Sequence, residues 1–199
     1  MSITTITPPA ALAVSMADAR LQCRRETDDT SLDALITRYI QGAAAECEAI
    51  THCALMEQTL EQTLDAFPAE GDIRLKRPPV RSIVSVTYVD AAGVTQTLPP
   101  EAYTLNATGD DRVRSWWLLP AEGTTWPATR AVVDAVRIRM VCGLATSDAT
   151  VPADIGIWLL LAIAYLGTQA EAIDTTGRAS TLPERWHARK LDPYIQYDL

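Results

Sequence analysis

The sequence contains few of the residues that catalytic and metal sites need. Histidine occurs only twice, at His52 and His187, and neither has an evident nucleophile partner in the sequence. The chain has no phosphate-binding glycine loop, no nucleophile elbow and no paired-histidine metal motif. We therefore expect neither an enzyme nor a protein that carries a cofactor.

Cysteine is also scarce, and its spacing argues against a zinc site. The four cysteines are Cys23, Cys47, Cys53 and Cys142, and their spacing shows no close pair of the kind that zinc motifs use. Cys47 and Cys53, with His52 between them, fit no zinc pattern. We expect structural thiols in a reducing compartment and no bound metal.

No hydrophobic run is long enough to cross a membrane. The longest, from Ile155 to Gly167, has 13 residues, whereas a spanning helix needs roughly 20. The N-terminal stretch "MSITTITPPAALAVSMADAR" has no basic start and no long apolar core, so it is not a secretory signal. The sequence therefore predicts a soluble protein.

The segment "VPADIGIWLLLAIAYLGTQAEA", residues 151–172, is predicted to form a buried helix. Its apolar residues cover every face, which predicts burial all round. Either the domain covers every face, or a neighbouring subunit covers part of it. We expect Leu160→Asp to bury an unpaired charge and unfold the protein. The candidate core and subunit-contact residues are Trp158, Leu160, Leu161 and Tyr165.

Two further helices are predicted before it. Ser15 can cap a short helix that runs to about Arg25. A longer helix starts at Thr30 or Ser31 and ends near Cys53. Its apolar residues recur at three- and four-residue steps: Leu32, Leu35, Ile36, Tyr39, Ile40, Ala43, Cys47 and Ile50.

Residues 56–142 are predicted to form a small antiparallel β unit. "SIVSVTYVD" is rich in β-branched residues, "VRSWWLLP" is a second strand candidate, and "AVRIRMVCG" alternates apolar and basic residues as a half-solvated strand does. The predicted fold class is α+β, an α-helical bundle core with an inserted β-sheet unit and an extended C-terminal tail. The predicted parts are helical residues 1–55, β residues 56–142, the core helix and loop 143–181, and the tail 182–199.

The net charge of −8 is unevenly distributed. Residues 1–72 have 12 acids and 4 bases, residues 73–147 have 6 and 9, and residues 148–199 have 7 and 4, which gives −8, +3 and −3. The acidic total argues against a general nucleic-acid binder. The charge change near residue 73 indicates a separately built middle section.

Three smaller features have ordinary structural interpretations beside functional ones. The "GDD" of Gly109–Asp111 is typical of a turn more often than of a cation site. Of Trp116 and Trp117, one should face the core and the other solvent or an interface, because adjacent strand residues point to opposite faces. The arginines of "RIRM" favour a solvated sheet face over contact with DNA phosphates.

The order of these parts resembles the head–tail connector (adaptor) proteins of tailed bacteriophages, in their gp6-like group. The resemblance covers about residues 10–172. Its best-matched pieces are "VRIRMVCGLA", "VPADIGIWLLLAIAYL" and the opening "RLQCRRETDDTSLDALITRYIQGAAAECEAIT". One departure is Gln169, where the family would have an arginine.

The resemblance implies a structural role in the neck of a phage, prophage or gene-transfer-agent particle made in the bacterial cytoplasm. Such adaptors form a ring on the portal, usually twelve-fold, and present a surface to a stopper or tail-completion protein. DNA passes through the ring without specific binding, and an acidic lumen would repel its phosphates. The competing interpretation is a cytosolic binding or regulatory module with a helical core and a β insert.

The C-terminal tail, residues 182–199, is the predicted portal-docking segment. Aromatic residues and arginine are enriched in interface anchors, and "DTTGRAST" before the tail is loop-like. In the adaptors that this chain resembles, the C-terminal segment commonly reaches the portal. The alternative is that the tail folds back onto its own helices. The candidate docking residues are Arg185, Trp186, Arg189, Leu191, Tyr194, Ile195 and Tyr197.

Overall fold

The computed structural model describes residues 1–69, 71–109, 114–171 and 189–196. It confirms the α+β class, with antiparallel sheets and helices segregated along the chain. The chain divides into two compact units. A β unit comprises Met1–Ala10 and Glu57–Leu144, and a helical unit comprises Ala11–Met56 and Ala145–Leu199.

The β unit contains eight strands in the described residues. They are β1 Ser2–Thr7, β2 Gln58–Leu64, β3 Ile73–Leu75, β4 Val80–Val89, β5 Thr95–Leu98, β6 Tyr103–Gly109, β7 Arg114–Pro120 and β8 Val136–Cys142. A five-stranded sheet has the order β1-β2-β8-β4-β5, and a three-stranded sheet has the order β3-β7-β6. The described residues therefore form two sheets, where the sequence predicted a single small sheet.

The core of the β unit follows the alternation of its strands. In β8, Val136, Ile138, Met140 and Cys142 are buried while Arg137 is exposed, as the pattern predicted. Gln62 of β2 is also buried, and both the nitrogen and the oxygen of its side-chain amide make hydrogen bonds. Its Nε2 donates to the Arg74 carbonyl at 2.9 Å, and its Oε1 accepts from the Lys76 amide at 2.8 Å. Gln62 thus joins β2 of one sheet to β3 of the other.

Residues 1–10 were assigned from the sequence to the helical core, and this was wrong. β1 pairs antiparallel with β2, with Ile3 opposite Gln62 and Thr5 opposite Leu60. The run "SITTIT" is rich in β-branched residues but has no apolar alternation, which is the signal on which the other strand predictions relied. The pairing is supplied by a strand about fifty residues later in the chain, at a range that local patterns do not report.

The helical unit contains α1 Met16–Gln22, α2 Asp33–Thr51 and α3 Ala153–Glu171. The predicted cap is confirmed, because the Asp18 amide donates to the Ser15 hydroxyl at 3.0 Å. α2 ends where His52 adopts a left-handed conformation with φ of 57°. The predicted stripe of α2 is confirmed in part. Ile36, Ile40, Ala43 and Cys47 are buried, whereas Leu35 is 38% exposed. No helix among the described residues is long and apolar enough to span a membrane.

Candidate assembly surfaces

One face of α3 forms the core of the helical unit. Ile155, Trp158, Leu159 and Ile163 are each at most 2% exposed. They recur at steps of three, one and four residues, which places them on one side of the helix. Trp158 is among the largest fully buried side chains of the described residues. The sequence prediction of a buried core helix is confirmed for this face.

The opposite face of α3 is apolar but not covered. Ile157 is 47% exposed, and Leu160, Leu161 and Tyr165 are only half-buried. The alternative in which the domain alone covers every face of α3 was therefore wrong, and cover by a neighbouring subunit stays a prediction. The composition of a helix shows how much apolar surface the helix has, but it does not show how much of that surface its own chain buries.

The C-terminal segment from Arg189 to Gln196 packs inside the helical unit. Leu191 is fully buried and Tyr194 is 7% exposed. The Tyr194 hydroxyl donates to Asp154, with O–O distances of 2.8 Å to Oδ1 and 3.1 Å to Oδ2. The Cys53 thiol donates to the Tyr194 carbonyl at 3.4 Å, and the Gln196 amide donates to the Thr51 carbonyl at 2.9 Å. These contacts attach the segment to the end of α2 and the start of α3.

This burial changes the roles available to the predicted docking residues. Leu191 and Tyr194 are buried in the core of the helical unit, Ile195 is half-buried and Arg189 is exposed. Arg185, Trp186 and Tyr197 lie outside the described residues. Described residues of the tail thus follow the alternative in which it folds back, and portal docking stays a prediction. The sequence offered no signal for the Asp154 partner, which lies forty residues away in the chain.

Arg20 of α1 and Asp33 of α2 form a two-point ion pair. Arg20 Nε donates to Asp33 Oδ1 at 2.8 Å and Nη2 to Oδ2 at 2.6 Å. Arg20 Nη1 also donates to the Thr27 carbonyl, which ties the intervening loop to the same guanidinium. The hydrogen bonds from Arg20 hold the pKa of Asp33 below its ordinary value.

A cleft of about 520 Å³ opens beside this pair in the helical unit. Leu32, Leu35 and Tyr39 of the α2 segment give it an apolar wall, and Arg24 and Arg25 give it a basic rim. Sequence reasoning missed this cleft, because it depends on how three helices pack. Its lining suits an apolar group that carries negative charge.

The arginines of β8 face a carboxylate rather than open solvent alone. Arg137 Nη1 lies 3.3 Å from Glu61 Oε1, and Arg139 Nη2 lies 2.9 Å from Glu61 Oε2. Glu61 of β2 sits directly opposite Arg139 in the ladder. The structure therefore agrees with a sheet face that is partly neutralised, and it gives no support to a DNA contact.

The remaining sequence candidates are the thiols, the tryptophan pair and the GDD segment. Burial raises the pKa of the Cys47 and Cys142 thiols, each to about 12, so they are protonated and unreactive near neutral pH. Trp116 and Trp117 are both half-buried, so neither is the fully buried core ring that the sequence predicted, and an interface role for one of them stays a prediction. The described residues contain no cluster of three or more potential metal ligands, and Asp110 and Asp111 lie outside them.

No protein-family description and no curated protein matches this chain by sequence. The fold, however, is shared with chains of gene transfer agent (GTA) particles. A chain from "Neck of empty GTA particle computed with C6 symmetry" matches with a TM-score of 0.78 and 23% identity over 100% of this chain and 97% of that chain.

Two related solved structures give the same result. A chain from "Virion of native gene transfer agent (GTA) particle" matches with a TM-score of 0.75 and 23% identity. A chain from "Neck of native GTA particle computed with C12 symmetry" matches with a TM-score of 0.67 and 20% identity. Both alignments cover 100% of this chain and 97% of the other. These likenesses establish a shared fold from one end of the chain to the other.

Proposed function

We propose that this protein is a structural component of the neck of a phage-like particle, a head–tail connector that forms a ring between the portal and a stopper or tail-completion protein. The observation that carries the proposal is the end-to-end fold match to a GTA neck chain, with a TM-score of 0.78. The match covers 100% of this chain and 97% of the neck chain. Fold alone does not define function, so the remaining support comes from surfaces.

The uncovered face of α3 supports assembly with other copies. Ile157, Leu160 and Leu161 present apolar groups that one chain does not cover, and such surfaces mark interaction sites. The neck structures that share this fold were computed with six-fold and twelve-fold symmetry. Repeated contact between two different patches closes into a ring when the rotation allows it. We propose a twelve-membered ring in which Trp158 and Tyr165 support this face.

The charge of the chain suits a channel that DNA crosses without binding. The net charge is −8, and Glu61 pairs with both Arg137 and Arg139. Phosphate binding depends on cations that are free to displace counterions. A surface with paired arginines and an acidic total holds DNA weakly, so the duplex can slide.

Contact with the portal is proposed for the C-terminal tail in a modified form. Leu191 and Tyr194 are buried inside the helical unit, so Arg189 and Ile195 are the described residues of the predicted docking set that remain accessible. Arg185, Trp186 and Tyr197 complete the proposed docking set. In this form the buried pair anchors the segment while its neighbours meet the portal.

The test is electron microscopy of the full chain mixed with the portal protein from the same genome. Negative-stain images should show a second ring stacked on the portal, and its symmetry should match the portal. Class averages in which the portal stays bare at saturating concentrations of the chain would remove the proposal. The chain alone is the control, because a ring that forms only on the portal differs from one that forms in solution.

The cleft of the helical unit favours the second candidate, a cytosolic binding module. Its apolar wall and the basic rim of Arg24 and Arg25 are a combination found in small-ligand sites. A screen of acidic amphiphiles by thermal shift, with Arg24→Ala as control, tests this candidate. A saturable shift that Arg24→Ala abolishes would support it, and no shift would leave the connector as the only proposal.

A further inference from the structure

The inference concerns the open edges of the two sheets in the β unit, and it deepens the ring assembly of the proposed function. Among the described residues, β1 pairs only with β2, and β6 pairs only with β7. Each therefore has one edge of backbone N–H and C=O groups without a strand beside it. Unpaired edges are templates for pairing with another chain.

The other two edges of the β unit are protected. β5 has only four residues and runs into Pro99 and Pro100. β3 has three residues, and the side chain of Gln62 already bonds to the backbone of Arg74 in β3 and of Lys76 just after it. Shortness, proline and covering groups are the means by which proteins block edge pairing.

β1 and β6 are longer than these two strands, although Pro8 and Pro9 follow β1 and its pairing with β2 shifts register between Thr5 and Thr7. β1 reads "SITTIT" and β6 reads "YTLNATG", and neither contains a charged residue or proline. Their lengths are similar, at six and seven residues. β1 is also rich in β-branched residues, which favour strand pairing, and Ile6 is 43% exposed on it.

The faces of the two strands match as well. Ile3 and Thr5 lie opposite the buried Gln62 and Leu60, so they share the core face of the five-stranded sheet. In β6, Leu105 lies opposite the fully buried Leu118, so it belongs to the core face of the three-stranded sheet. Ile3 and Leu105 are each half-buried. Pairing of the two strands would continue the apolar layer of one sheet into the other.

The opposite faces are polar on both strands. Thr4 of β1 lies opposite Glu61, and Asn106 of β6 lies opposite Trp117; both are exposed. A shift by one residue would place polar groups against apolar ones, so the patterns fix the register. In that register, the polar side chains of both strands lie on one face of the joined sheet, and the half-buried apolar side chains lie on the other.

The two edges belong to different sheets of the β unit. β1 is one border of the five-stranded sheet and β5 is the other. β5 leads through a single 3-10 turn, Pro100–Ala102, into β6. Two different edges on one chain give a head-to-tail contact, which is the type that closes rings. A self-paired β1 edge would give only a closed dimer.

We propose that β1 of one copy pairs with β6 of the next copy, so that a three-stranded and a five-stranded sheet join across each subunit contact of the ring. The occupant of each open edge is thus a second copy of this chain. The pairing would add main-chain hydrogen bonds to the apolar contact that α3 provides.

The test places a charge on each open edge and measures ring formation by the full chain, alone and on the portal protein from the same genome. Thr4→Lys and Asn106→Lys should each lower the ring fraction about tenfold or more, which is the effect of about 1.4 kcal/mol. Thr97→Lys places the same charge on the protected edge of β5 and should leave rings unchanged. The double variant Thr4→Lys/Asn106→Glu should restore rings, because opposite charges across a strand pair attract.

Melting temperatures separate assembly from folding. If Thr4→Lys loses its cooperative transition, Asn106→Lys and cross-linking of a Thr4→Cys/Asn106→Cys chain by a short bismaleimide decide the question. A ladder of linked oligomers supports the pairing, and monomers alone contradict it. Rings that survive both lysine variants, or that Thr97→Lys also abolishes, overturn the edge pairing and leave the connector role intact. An unaltered chain that forms no ring even with portal overturns both.

Discussion

The two long helices have the same length and opposite designs. α2 and α3 each contain 19 residues. α2 buries one stripe, with Ile36, Ile40 and Ala43 inside, and among its large apolar side chains only Leu35 is exposed. α3 is apolar on every side, yet its buried residues lie on one face and Ile157 remains 47% exposed. When a chain buries most of the apolar surface of a helix, that helix needs no other partner. When much of the apolar surface stays exposed, it is available for contact with a second chain.

The largest expected effect comes from aspartate substitutions at two neighbouring positions of α3, one on its buried face and one on its exposed face. Leu159 is fully buried and Leu160 is half-buried. Leu159→Asp buries an unpaired carboxylate, which costs several kcal/mol or more against a total stability of about 5–15 kcal/mol. We expect Leu159→Asp to lose its cooperative thermal transition, measured by circular dichroism. Leu160→Asp should keep a transition and lose ring assembly, which replaces the sequence-based expectation that it unfolds.

Equal unfolding of the Leu159→Asp and Leu160→Asp chains would contradict the division of α3 into two faces. Leu160→Asn is the matched control, because it is polar and carries no charge. It should stay folded and retain part of the ring assembly that Leu160→Asp loses.

Truncation within α2 should give the next largest effect. Ile40 is 1% exposed, and Ile40→Ala removes packed methyl groups and leaves a cavity. We expect the free energy of unfolding to fall by about 2–5 kcal/mol, measured by urea denaturation. Leu35→Ala is the control, since Leu35 is 38% exposed and should change stability by about 0.5 kcal/mol. A similar loss from both would mean that α2 has no defined buried stripe.

The C-terminal segment predicts a smaller effect that depends on one hydroxyl. Tyr194→Phe keeps the buried ring and removes the bond to Asp154, which is 2.8 Å long. A hydrogen bond to a charged group contributes about 1.5–3 kcal/mol, and Asp154 is half-exposed, so we expect about 1.5 kcal/mol. Asp154→Asn should weaken the same contact. If neither substitution changes the urea midpoint, this segment does not stabilise the helical unit.

The smallest expected effect is the pH dependence of the Arg20–Asp33 pair. The folded pKa of Asp33 is lowered by its hydrogen bonds to Arg20. Such a group stabilises the fold fully above its unfolded pKa of about 3.9, and that contribution is lost as pH falls through the folded pKa. The difference in melting temperature between the unaltered chain and Asp33→Asn should therefore be present at neutral pH and shrink below about pH 4. A difference that grows on acidification would contradict this assignment.

Sequence patterns were sufficient for elements whose periodicity is local. The stripe of α2, apart from Leu35, and the alternation of β8 were both read correctly, because each depends on which side of its own element is buried. The Ser15 cap was found for the same reason, since its bond to Asp18 spans three residues.

The features that the sequence did not reveal depend on distant partners. β1 was missed because its strand neighbour lies about fifty residues later, and the packing of Tyr194 because Asp154 lies forty residues earlier. The uncovered face of α3 was left open between core and subunit contact, since composition alone cannot divide a helix that is apolar on all sides. The cleft beside Arg24 arises only when three helices meet.

The chain passes between its two units three times, near residues 10, 56 and 144, and this sets an order for synthesis on the ribosome. α1 and α2 emerge early, but the helix that covers the buried stripe of α2 begins only at Ala153. Translation adds about 5–20 residues per second, so the whole β unit is made while Ile36 and Ile40 still lack this cover. Nascent chains and fragments that stop before α3 should therefore depend on chaperones and aggregate without them.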